Sequence, residues 1–268
     1  MGLRSRRPRG VTVKTDEQVQ KMRKAGLVVA EALEAMTAAV RPGVTTADLD
    51  RIAREILVRR GATSSFLGYG DPGFPGVICA SVGAAVVHGI PDDRPLVEGE
   101  LCSIDFGAII DAWHGDAAVT VPVGECSAEV LALNSVTEQS LWAALRTARP
   151  GGRLSDIGAA VEGVVRPHGY GLLEDYTGHG IGRAMHEPPY VPNVAPDGPG
   201  RGMQLEVGIV LAIEPMATLG TGDVDVLEDE WTVVTADRRQ ASHWEHTVAV
   251  TADGPWVLTA ADGGAGRL

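Results

Sequence analysis

Several groups that could do chemistry stand in apolar company, where an unpartnered charge is costly. Asp105 lies in SIDFG, between Ile104 and Phe106 on an apolar run. Asp116 follows in WHGD, Glu214 lies in VLAIEP, and Glu245 lies in HWEHTVAV. His179 opens the stretch GHGIGRAMHE, with His186 seven residues further on. Strands that gather several such carboxylates need a cation or a proton to hold them together.

The spacing inside GHGIGRAMHE restricts what its histidines can do locally. On a helix, residues seven apart share a face but sit about 10 Å apart. On a strand, an odd spacing puts them on opposite faces. His179 and His186 are therefore not expected to chelate one ion as a local pair; any joint action would be at different points of a site completed from elsewhere. Gly178, Gly180 and Gly182 lack the dinucleotide-loop spacing and open no clear helix, which argues against a phosphate loop. Simpler readings compete for other residues. Asp116 after Gly115 suits a turn, and Glu214 before Pro215 could end a strand at the surface. His114 reads as a turn or surface residue and His168 as a helix-end residue.

Such groups need strands to hold them, and the sequence supplies strands between helix pairs. Thr15 with Gln18 forms a capping box before Val19, Met22, Val29, Leu33, Met36 and Val40. This helix stops at Arg41-Pro42-Gly43, and a second runs from near Thr46 to Gly61. Ser127 caps a third helix that stops at Arg149-Pro150-Gly151, and a fourth ends near Gly169. RPGVTTADLDRIAREILVRRG and RPGGRLSDIGAAVEGVVRPHG align without a gap at a shift of 108 residues. Two halves of like design are expected, each a helix pair followed by strands. Strands are predicted at 77–88, 101–110, 117–123, 205–213, 231–235 and 246–251 from their Val, Ile and Thr content. No Gly/Ser linker or charge run separates the halves.

The 268 residues are ample for a buried core, and 44% hydrophobic content excludes disorder as the overall state. A net charge of −12 argues against a broad surface for DNA or anionic membranes. Arg4, Arg6, Arg7 and Arg9 form a local exception. Residues 1–12 are expected to be a basic, disordered arm; contact with nucleic acid is the alternative use of such an arm. No apolar stretch follows Arg6-Arg7, so neither a signal peptide nor a membrane span is expected. Cys79, Cys102 and Cys126 are odd in number and read as free thiols in a reducing cytoplasm.

Taken in order, HGIPDD (88–93), SIDFGAIIDAWHGD (103–116), GHGIGRAMHEPPYVPN (178–193), IEPM (213–216) and EHTVAVT (245–251) resemble a type I methionine aminopeptidase of peptidase family M24. The resemblance runs from about Val13 to Leu258. It implies the α+β pita-bread fold, with two pseudo-symmetric halves and antiparallel sheet covered by helices. One catalytic domain over 13–262 is expected, with halves at about 13–125 and 126–262.

The resemblance also implies roles. Asp105, Asp116, His179, Glu214 and Glu245 match five ligands to two divalent ions, with Asp116 and Glu245 bridging, Asp105 on one ion, and His179 and Glu214 on the other. Four carboxylates neutralise much of the charge of two dications, and oxygen-rich sites suit Mn or Fe(II), with Co, Zn and Ni as alternatives. The expected reaction is removal of N-terminal methionine from nascent proteins when the second residue is small. A metal-bridged hydroxide would attack the peptide carbonyl. Glu214 would shuttle its proton. His186 would bond the scissile carbonyl, and His88 would contact the substrate near its amide. Tyr69, Phe74, Cys79, Met185 and Trp231 occupy the positions of a methionine pocket. The glycines of GHGIGRAMHE would let the backbone pass close to metals and substrate.

Three departures from the family pattern stand out. Met185 stands where an aromatic is common. Ala241-Ser242-His243-Trp244 replaces a common Ser-Ala-Gln-aromatic run, which puts a monovalent-cation site there in doubt. GYGDPGFPG (68–76) is slightly longer than usual. Two rivals remain. A Xaa-Pro aminopeptidase or prolidase usually has a large N-terminal domain, whereas 87 residues precede His88 here. A catalytically silent binding module of the same fold should have lost ligands, and all five are present. A type II enzyme would carry a long insert between His186 and Glu214, where only 27 residues lie. A cytoplasmic monomer is expected, acting on nascent chains with a transient ribosome contact. The Met1-Gly2 start suits removal of its own Met1.

Overall fold

Helix signals in the chain are realised as caps. The computed structural model describes residues 10–195 and 197–268. Helix α1 spans Asp16–Ala39, and its Thr15/Gln18 capping box is formed in both directions. Helix α2 spans Thr46–Arg60, boxed by Thr45 and Asp48 and stopped by left-handed Gly61. Helix α3 spans Ala128–Leu145 behind Ser127, and α4 spans Leu154–Val165. His168 ends the short 3-10 turn after α4, as expected of a helix-end residue. None of the helices among the described residues is long and apolar enough to cross a membrane.

The 108-residue repeat is structural. Gly43 N–H donates to Leu96 O at 2.9 Å, and Gly151 N–H donates to Leu205 O at 2.9 Å. Gly99 N–H meets Val123 O as Gly208 N–H meets Val250 O, each at 2.9 Å. Each half has its own core. In the first, α1 and α2 lay Val29, Met36, Leu49 and Ile56 against Ile104 and Phe106. In the second, α3 and α4 lay Leu133, Leu141, Ile157 and Val161 against Leu211 and Val248. Each such buried Leu or Ile contributes about 1.5–3 kcal/mol relative to exposure.

All strand pairs among the described residues are antiparallel. Leu101–Ile110 pairs with Trp113–Pro122 on one side and with Cys79–Val82 and Thr63–Ser64 on the other. The second half builds a five-stranded sheet in the order Gly254–Val257, His246–Thr251, Val210–Ile213, Gly178–Gly180, Glu187–Val191. Among the described residues, two three-stranded sheets complete the frame. Ala118 and Glu245 join the halves: Ala118 N–H donates to Glu245 O at 3.2 Å, and Glu245 N–H to Ala118 O at 2.9 Å.

Several predicted strands change. The run 77–88 is two strands in different sheets, Cys79–Val82 and Ala85–Val87, because left-handed Gly83 turns the chain. The strand expected at 205–213 is reduced to Val210–Ile213, since Leu205 and Gly208 serve the loop bonds above. The strand expected from 117 begins at Trp113. Of the basic arm, residues 1–9, including the four arginines and Met1-Gly2, lie outside the described residues. Val11 is buried, and Thr12 Oγ1 donates to Glu187 Oε2 at 2.7 Å.

Candidate active site

Strand registers alone bring the acidic groups together. Asp105 lies across from Ala118 and Asp116 across from Gly107, so the two carboxylates sit diagonally on one face of the hairpin. In the other half, His179 and Thr247 flank Ala212 on opposite sides. Glu214 is two residues beyond Ala212, and Glu245 two before Thr247, so both share the face that carries His179. The Ala118–Glu245 backbone bonds then bring the two faces to one place.

The result is a shared, mostly closed cluster. Asp116, His179 and Glu245 are buried, and each offers a ligand atom within 4.8 Å of the others. His179 Nε2 stands 3.5 Å from Glu214 Oε1. Asp105 and Glu214 line the same cavity and keep some exposure. Asp116 is thus a strand residue rather than a turn residue, and Glu214 faces this cavity rather than the open surface.

Electrostatics favour a cation here. Burial pushes all four carboxyl groups above their usual range, Asp116 to about 7. Neighbouring negative charge adds to burial for Asp105 (Asp116, then Glu214) and for Glu245 (Asp116, Glu214, Asp105). Asp105 Oδ1, Asp116 Oδ1 and Glu245 Oε1 are buried without a hydrogen-bond partner. His179 presents a free ring nitrogen. Its Nδ1 lies 2.9 Å from Gly180 O, which can only accept, so the proton sits on Nδ1 and the Nε2 lone pair is free. Burial, then His186, pulls its pKa down to about 3, which keeps the ring neutral. Orphaned carboxylate oxygens beside a neutral imidazole are the donor set of a divalent ion.

All twelve residues singled out in the sequence line one cavity of about 120 Å³, with Phe66 as the thirteenth. A larger open groove along α1, of about 930 Å³, contains none of them. The apolar end of the cavity is built by Phe66, Phe74, Cys79 and Met185, with Trp231 set edge-on to Phe74 at 5.2 Å. Burial, then the nearby carboxylates, raises the Cys79 thiol well above its usual range, so it serves as an apolar wall. The loop 68–76 folds back on itself through Gly68 N–H to Phe74 O and Phe74 N–H to Tyr69 O, both 2.8 Å. This places Phe74 in the wall and Tyr69 at the mouth, where its hydroxyl meets His186 Nδ1 at 2.6 Å. His88 has a left-handed backbone, φ 59°, an uncommon state for a residue with a Cβ. Burial, then His186, lowers its pKa to about 4.

Some features ran against the sequence reading. His114 is buried on a strand, with Nδ1 2.9 Å from Ser65 Oγ, rather than in a turn or at the surface. The glycines of GHGIGRAMHE also lie tight against protein. A Cβ at Gly180 would meet Pro188 O at 2.3 Å, and one at Gly182 would meet Glu187 Oε1 and Lys14 Cε at 2.7 Å. Sequence reasoning also missed Phe66 and the Lys14–Glu187 ion pair of 2.9 Å. Phe66 had a usable signal, an aromatic beside a Gly-rich loop; the ion pair spans 173 positions and had none.

Residues 20–252 match the model of metallopeptidase family M24. The chain belongs to metallopeptidase family M24. It is 48% identical over 264 residues to a methionine aminopeptidase 1 of Mycobacterium tuberculosis, covering 96% of this chain and 97% of that one. A methionine aminopeptidase structure from Thermotoga maritima superposes with a TM-score of 0.90 at 39% identity, covering 93% and 99%. A prolidase from Pyrococcus furiosus shares the fold alone, with a TM-score of 0.73 at 22% identity, over 92% of this chain and 65% of the prolidase. Within M24 the chain therefore stands with the methionine aminopeptidases. The α+β pita-bread fold expected from the sequence is the fold observed.

Proposed function

We propose that this M24 enzyme removes N-terminal methionine from nascent polypeptides whose second residue is small. The observation that carries the reading is the single cavity in which an apolar pocket abuts the carboxylate–histidine cluster. Residues 13–262 act as one catalytic domain, with halves at about 13–125 and 126–262. Asp105, Asp116, His179, Glu214 and Glu245 would hold two divalent ions, for which Mn, Fe(II), Co, Zn or Ni are the candidates. When bound, such ions act as Lewis acids toward water and the scissile carbonyl.

The protein groups supply the rest. Phe66, Phe74, Cys79, Met185 and Trp231 enclose an unbranched thioether side chain and exclude water beside it. Tyr69 anchors His186 through Nδ1, leaving Nε2 to donate to the substrate carbonyl oxygen. His88 contacts the substrate amide, and Glu214 takes and returns the proton. Nascent N-termini met in the cytoplasm, near the ribosome, by a monomeric enzyme are the setting this activity implies.

Peptide selectivity tests the reading. With Mn(II) or Co(II), Met-Ala-Ser should be cut much faster than Met-Leu-Ser, and Ala-Pro should not be cut. Preference for Ala-Pro would move the enzyme to the prolidase branch.

A further inference from the structure

His243 sits under the cavity floor, 2% exposed, on the strand Ala241–His243. Its backbone is held on both sides by one hydroxyl: its N–H donates to Thr120 Oγ1 at 3.0 Å, and its carbonyl accepts from Thr120 Oγ1 at 2.7 Å. Asn134 of α3 braces the flanking residues, with Oδ1 accepting from Ser242 Oγ at 3.0 Å and Trp244 Nε1 at 2.7 Å. The backbone is thus fixed at His243, and the ring's Nε2 is buried without a hydrogen-bond partner. That atom stands 3.7 Å from Glu214 Oε2, while His179 Nε2 stands 3.5 Å from Oε1. Each oxygen of one carboxylate therefore faces a different imidazole. A buried nitrogen seldom stays unmatched, and the Glu214 carboxylate oxygen at 3.7 Å is placed to match this one.

We propose that His243 is a positioning residue for Glu214, donating from Nε2–H to Oε2 and so fixing which carboxylate oxygen faces His179 and the ion site. The contact needs to shorten by roughly 0.8 Å to reach a normal N–H···O distance. The last torsion of a glutamate is broad and nearly two-fold, so a donor on one oxygen decides which oxygen is left as ligand and base. The sequence departs from the family pattern at this point, with His243 where Gln is common; both side chains carry an N–H. The proposal rests on the reading of Glu214 as metal ligand and proton carrier.

H243Q and H243L separate the possibilities. Gln keeps a donor, and Leu keeps an apolar side chain without one. In Met-Ala-Ser hydrolysis with Mn(II), H243L should lose about 10–100-fold in kcat with KM within about twofold, whereas H243Q should stay within about threefold of wild type. In Mn(II) calorimetry, H243L should bind about 10-fold more weakly and H243Q like wild type. Wild-type kcat and Mn(II) affinity in H243L would overturn the proposal, as would equal losses in both variants. If H243L does not fold, H243M replaces it as the donor-free variant. A wild type that binds Mn(II) but cuts no peptide would sink the functional reading instead, and the calorimetric comparison would still decide on His243.

Discussion

The rings of His179 and His186 meet edge to face, with centroids 4.3 Å apart. Seven positions of helix or strand would have separated them, but the chain bends back between them. His114 N–H holds Gly182 O at 2.9 Å, and Arg183 stacks over Trp113 at 4.4 Å. Glu187 Oε1 accepts from the N–H groups of Arg183 and Ala184 at 2.7 and 3.2 Å. His179 is thereby buried, while His186 is left exposed at the mouth beside it.

This geometry predicts a division of labour. His186→Ala should lower kcat/KM on the order of 10²–10³-fold while Mn(II) affinity stays near wild type. His179→Ala should abolish Mn(II) affinity at the site. Calorimetry paired with peptide kinetics checks both. Equal loss of metal in the two variants would contradict the assignment.

The Lys14–Glu187 pair should tie the His186 bend to the start of the chain. Both side chains are largely buried, at 4% and 12% exposed. Burial alone would raise the Glu187 pKa, but hydrogen bonds from Lys14 and Thr12 outweigh it and hold the value below normal. A carboxyl lowered in the folded state stabilises above its unfolded pKa of about 4.3, and that contribution is lost as pH falls through the folded value. Glu187→Gln strands a buried ammonium and should cost about 3 kcal/mol at pH 7. Thermal unfolding at pH 7 and pH 3 should show the gap to wild type shrinking in acid. A gap independent of pH would mean the ion pair is not its source.

Gly180→Ala should strike both stability and activity. The new Cβ would lie 2.3 Å from Pro188 O, a backbone atom with no rotamer to adopt. Relief requires parting the strands Gly178–Gly180 and Glu187–Val191, at a cost of about 1–3 kcal/mol. A Tm lower than wild type by several degrees, together with reduced turnover, is the expected outcome. An unchanged Tm would show that the close approach is not rigid.

Much of this was legible from local chemistry. Thr15 and Ser127 announced helix starts, and Gly61 a stop, because caps depend on neighbours three or four residues away. The repeat was visible because Gly43 and Gly151 perform the same loop-closing bond. Asp105 and Glu245 stood out because a carboxylate on an apolar strand requires a reason. The short strands Gly178–Gly180, Met216–Thr218 and Ala241–His243 were not legible, since three residues carry no period and exist through pairing with distant partners. His114 was misread for the same reason: its partner, Ser65, is 49 positions away. His243 was visible only as a departure from a pattern, and its meaning required the distance to Glu214.

The most direct measurement is release of free methionine from Met-Ala-Ser by purified enzyme with Mn(II) or Co(II), beside Glu214→Ala under the same conditions. The wild type should release methionine, and Glu214→Ala should release essentially none. No release by the wild type with any divalent metal, or undiminished release by Glu214→Ala, would contradict the account.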